Sequence, residues 1–76
     1  MGVRLKDQLP RYSNSALRLV LDEWIHSEVE RGVLYRSLAD DIPYEKLAEE
    51  FGISRSEVAR IMTENIPTIK ELLPKI

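Results

Sequence analysis

From Leu17 onward the apolar residues of this chain recur at helical spacing. Leu17, Val20, Leu21, Trp24 and Ile25 fall at i, i+3, i+4, i+7 and i+8. That single stripe predicts a helix from about Ser15 to His26, with Ser13 or Ser15 as its cap. Val33, Leu34 and Leu38 are out of phase with it, which predicts a break near 26–27. Ser27 followed by Glu30 has the form of a capping box, so a second helix is expected from there to about Ala39. One continuous helix over 15–39 is the alternative. Gly32 inside it costs about 1 kcal/mol of helix propensity and marks close packing against a neighbour. Asp40, Asp41 and Pro43 then punctuate the chain. Asp41 is expected to cap the next helix, with Pro43 in its first turn. Helical spacing resumes over 44–51, stops at Gly52, and restarts after Ser54 to end near Asn65. Pro67 is expected to open a separate short helix with Ile69, Leu72 and Leu73 on its inner side, ended by Pro74. The pattern predicts an all-α protein, a small bundle of four to five helices over 13–76. An arm over 1–12 precedes it, where Val3 and Leu5 alternate with Arg4 and Lys6 and Pro10 interrupts.

The stretch 44–63, YEKLAEEFGISRSEVARIMT, has the most information per residue. Tyr44, Leu47, Ala48 and Phe51 share one side of its first helix, and Ala48 is small enough for a second helix to cross closely. Gly52 permits the left-handed backbone that ends the first helix. Ile53 plugs the corner and Ser54 caps the second helix. On that helix Val58 and Ile61 point inward, with Met62 at the margin. Arg55, Ser56, Ala59, Arg60 and Thr63 fall on the opposite side. Two short helices joined by a glycine turn make a helix-turn-helix, and an outward face of small polar residues and arginines suits the major groove of DNA. In that groove Arg55 or Arg60 would contact guanine or phosphate, Ser54, Ser56 and Thr63 would bond phosphate or base edges, and Ala59 would leave room or touch a thymine methyl. Glu57 and Glu64 lie towards the side, able to accept from cytosine or to weaken binding.

Residues 44–63 resemble the helix-turn-helix superfamily of transcriptional regulators at Leu47, Ala48, Phe51, Gly52, Ile53, Val58 and Ile61. The longer stretch 28–73 is similar to sigma-factor region four and to the four-helix output domains of response regulators. The resemblance implies sequence-specific duplex DNA binding, with Ser54, Arg55, Ser56, Ala59, Arg60 and Thr63 in the contacting positions. Ala59 and Ile61 stand where sigma-like domains tend to carry further basic residues, and Ser56-Glu57 replaces a typical Gly-Thr. The general motif is therefore a better match than the sigma subfamily.

Composition narrows the alternatives. At 76 residues the chain is one small domain. It has no cysteine and one histidine, His26, which leaves no disulfide and no zinc site of the usual type. No Gly-rich phosphate loop or nucleophile motif is present, so the chain is read as a non-enzyme without metal or cofactor. No apolar run suffices to span a bilayer and 1–13 does not read as a signal peptide, which fits a cytoplasmic protein. The net charge is −2, unevenly spread. Residues 1–20 hold four basic residues against one acidic, 21–50 three against nine, and 51–76 four against three. A DNA surface must therefore come from the two ends, with Arg4, Lys6 and Arg11 of the arm as additional DNA contacts.

The sequence reading is thus a small transcriptional regulator that binds DNA through a recognition helix over 54–64. One such helix makes few phosphate contacts, so a homodimer on a palindrome is expected. Leu17, Leu21, Trp24, Ile25, Leu72, Leu73 and Ile76, with Leu19 beside them, either form that dimer or close the monomer's own core. The rival reading is a protein–protein interaction module that keeps the helix-turn-helix fold without binding DNA, with a partner in the transcription machinery.

Overall fold

The structure, a computed structural model, describes residues 9–73. Over those residues the chain is all-helical, with four helices in the order α1 (Asn14–Trp24), α2 (Glu28–Asp40), α3 (Tyr44–Phe51) and α4 (Arg55–Leu72). Serine side chains start three of them. Ser13 Oγ accepts from the Ala16 amide at 3.1 Å, Ser27 Oγ from Glu30 at 3.3 Å and Ser54 Oγ from Glu57 at 3.0 Å. Each satisfies one of the amides that a helix leaves unpaired at its start. The break between α1 and α2 is real, and α1 ends at Trp24, two residues before the expected His26. Arg31 closes that junction from α2 by donating through Nη1 to the Ile25 carbonyl at 2.7 Å.

Asp41 is not the N-cap residue of α3. It stands in the left-handed region at φ 58° and ends α2, while Ile42 donates its amide to the Arg36 carbonyl at 3.3 Å. An aspartate tolerates that conformation better than most residues. Pro43, not Asp41, occupies the N-cap position of α3, which has no side-chain cap bond. Gly52 ends α3 at φ 67°, and Ile53 donates to the Ala48 carbonyl at 3.0 Å. Three residues, 52–54, separate α3 from α4.

Pro67 does not start a separate helix. It lies inside α4, which runs unbroken to Leu72. An interior proline costs roughly 3 kcal/mol. Its neighbours on the inner stripe, Ile66 and Ile69, are both fully buried while Pro67 itself is exposed. Each buried isoleucine contributes about 1.5–3 kcal/mol, so the two together offset the lost bond. The Thr63 carbonyl that the proline cannot serve belongs to an exposed residue.

One core joins all four helices. Leu17, Val20, Leu21 and Ile25 of the α1 segment meet Val33, Leu34 and Leu38 of α2, Leu47 of α3 and Val58, Ile61, Met62, Ile66, Ile69 and Leu73 along α4. Met62 is 1% exposed, a full core residue and not a marginal one. Trp24 is 56% exposed and takes no part in the monomer core. Gly32 lies against Phe51, where any Cβ would meet the ring at 2.6 Å, so α2 and α3 approach closely there. Arg36 of α2 reinforces that pair by forking onto Glu50 of α3 at 2.8 and 2.9 Å, with a third bond to Asp40 at 2.8 Å. Before α1, Leu9 packs on the core and Tyr12 donates its hydroxyl to the Leu38 carbonyl at 2.8 Å.

Candidate nucleic-acid interface

The first half of α4 has two opposed sides. Val58, Ile61 and Met62 are buried, whereas Ser54, Arg55, Ser56, Arg60 and Thr63 are exposed and Ala59 is half-buried. The buried apolar stripe fixes the rotation of the helix and turns Ser56, Ala59, Arg60 and Thr63 away from the core, while Ser54 and Arg55 are exposed at its start. Of the arm residues, Arg11 is exposed, while Arg4 and Lys6 lie outside the described residues.

The surface divides into two flanks. On one, Tyr44 of α3 meets Arg55, Ser56 and Ala59 around an open cleft of about 330 Å³. Arg55 is exposed there and makes no ion pair among the described residues. Ser54 has committed one lone pair to capping α4, which leaves its hydroxyl proton for an outside acceptor.

The other flank is already occupied. Arg60 donates from Nε to Glu57 Oε1 at 3.0 Å, from Nη2 to Glu57 Oε2, and from Nη1 to Glu64 Oε1 at 2.7 Å. The bond to Glu57 holds its carboxyl below the ordinary carboxylate range, and the same bond raises the guanidinium's pKa further. Arg60 is thus a neutralised cation, not a free one. The i,i+3 and i,i+4 spacings to Glu57 and Glu64 carry this pairing in the sequence itself. Behind it, Asn65 donates to the Ile61 carbonyl at 2.8 Å and to Glu30 of α2 at 3.2 Å, which fixes α4 to the bundle. The exposed side of α3 is acidic, with Glu45, Glu49 and Glu50 against Lys46.

Among the described residues no group of acidic, histidine or cysteine side chains could hold a metal ion, and no helix is long and apolar enough to cross a membrane. No protein-family model, no curated protein and no solved structure matches the chain.

Proposed function

We propose that α3, the 52–54 turn and α4 act as a helix-turn-helix that binds duplex DNA in a sequence-specific manner, as part of a small transcriptional regulator that works as a homodimer. The observation that carries this reading is the two-sided first half of α4. Its back is sealed into the core, its front offers small side chains, and one unpaired arginine, Arg55, is exposed at the start of the helix. Small residues let a helix sit deep in a groove, and an unpaired guanidinium can meet phosphate or guanine without first breaking an ion pair.

A second reading has its own support. Arg60 is neutralised by Glu57 and Glu64, and the exposed side of α3 is acidic. Both features suit a protein partner in the transcription machinery with a basic face better than they suit phosphate.

Titration of labelled duplex pools at increasing salt separates the two. Under the DNA reading, affinity falls linearly on a log–log plot, and Arg55→Ala weakens binding across sequences while lowering the salt slope by about one. A chain that retains no duplex even at low salt, yet captures a basic protein partner through α3 and α4, sinks the DNA reading.

A further inference from the structure

Arg60 stands opposite Val58, Ile61 and Met62 on the helical wheel, at the centre of the outward side of α4. Its guanidinium is preassembled with two carboxylates. Nε and Nη2 are on Glu57, and Nη1 is on Glu64. A phosphate that approaches this triad meets one positive and two negative charges, so charge neutralisation is the poorest use of it. A base-pair edge is different. Guanine offers two acceptors, O6 and N7, to the major groove, and the cytosine paired with it offers one donor, the N4 amino group. A guanidinium beside a carboxylate is the complement of that edge, with donors for guanine and an acceptor for cytosine.

We propose that Glu57 and Arg60 read one G·C base pair as a unit, with Arg60 on guanine O6 and N7 and Glu57 on the cytosine amino group. The proposal rests on the DNA reading above. Glu57 plays two parts in it. One oxygen accepts from cytosine, and the other keeps the Arg60 Nε–H and so aims the guanidinium. Glu64, held by a single bond at 2.7 Å, is the partner that gives way and frees Nη1 for guanine. On any other sequence Arg60 stays with both carboxylates, and these face the phosphates. The same triad therefore favours the right pair and penalises non-specific duplex. An A·T pair cannot substitute, because neither of its bases offers Arg60 two adjacent acceptors.

The test is selection from randomised duplexes by the full chain and by two variants, Glu57→Gln and Glu64→Gln. Both side chains are exposed, so circular dichroism should show both variants folded. The wild type is expected to enrich sites with one position fixed as G·C. Glu57→Gln should still bind but lose roughly tenfold of the preference for G·C over A·T at that position. Glu64→Gln should keep the preference and bind all duplexes more tightly. A wild type that enriches a site with no fixed G·C pair overturns the proposal, and so does a Glu57→Gln variant with unchanged preference. In either case DNA binding itself stands. If neither the wild type nor the variants retain any duplex, the DNA reading falls and this one with it.

Discussion

At Gly32 an added Cβ would stand 2.6 Å from Phe51 Cε1 and 2.8 Å from Cζ, whereas at Gly52 it would meet nothing within 4 Å. The first glycine is required by a neighbour and the second by its own backbone, at φ 67°. Substitutions should separate these causes. Gly32→Ala gains about 1 kcal/mol of helix propensity but forces the Phe51 ring to move, at a cost of about 1–3 kcal/mol for overpacking. Urea unfolding should show a net loss near 1 kcal/mol, and Phe51→Leu in the same chain should recover part of it. Gly52→Ala has no clash to relieve and should lose about 1–2 kcal/mol through left-handed strain alone. Gly52→Asn should lose less, because asparagine visits that region at lower cost. Equal losses for Ala and Asn at position 52 would argue against a left-handed turn between α3 and α4.

Ser54 belongs to an element before it belongs to a surface, since its hydroxyl caps α4. Ser54→Ala should therefore cost about 1 kcal/mol of stability. Ser54→Asp keeps the cap and adds a favourable charge at the helix start, so thermal unfolding should stay near wild type while duplex binding drops. A Ser54→Asp chain that binds duplex as well as wild type would remove the start of α4 from the proposed interface. The three serine caps and the glycine end of α3 were legible in the sequence because each depends on residues a few positions apart, and Gly32 was legible as a glycine inside a helix, though its partner Phe51 was not. Asp41 and Pro67 were not. Asp41 is an equally good helix stop and helix start by residue type, and only the closure of the α2 end onto Arg36 decides between them. Pro67 is a breaker by local propensity, overruled by the burial of Ile66 and Ile69 on either side. The candidate surface divides in the same way. The Glu57–Arg60–Glu64 triad follows from spacing along one helix. The Arg36–Glu50 fork joins residues 14 apart on two helices and has no local signature.

At the scale of the molecule, the α1 stripe that the sequence offered equally to a core and to a second copy goes to the core. Leu17, Val20, Leu21 and Ile25 are buried, as is Leu73, while Ile76 lies outside the described residues. What α1 leaves outside is Leu19, 54% exposed, and Trp24, 56% exposed. A homodimer that brings two copies of α4 to successive major grooves must then be built on side chains the monomer does not need. Trp24 is the only tryptophan, so its emission reports on its own surroundings. Dilute protein should emit as a water-exposed indole. The emission should move to shorter wavelength as concentration rises, in step with a monomer-to-dimer change in sedimentation. Trp24→Ser should hold the chain monomeric while changing the unfolding free energy of dilute protein by no more than about 0.5 kcal/mol, the usual range for an exposed position. It should also weaken binding to a duplex with two half-sites far more than to one with a single half-site, because only the two-site duplex gains from a linked second copy. Constant emission and a monomer at every concentration would remove the palindrome and leave one α4, with Arg55 as its unpaired arginine, to bind alone.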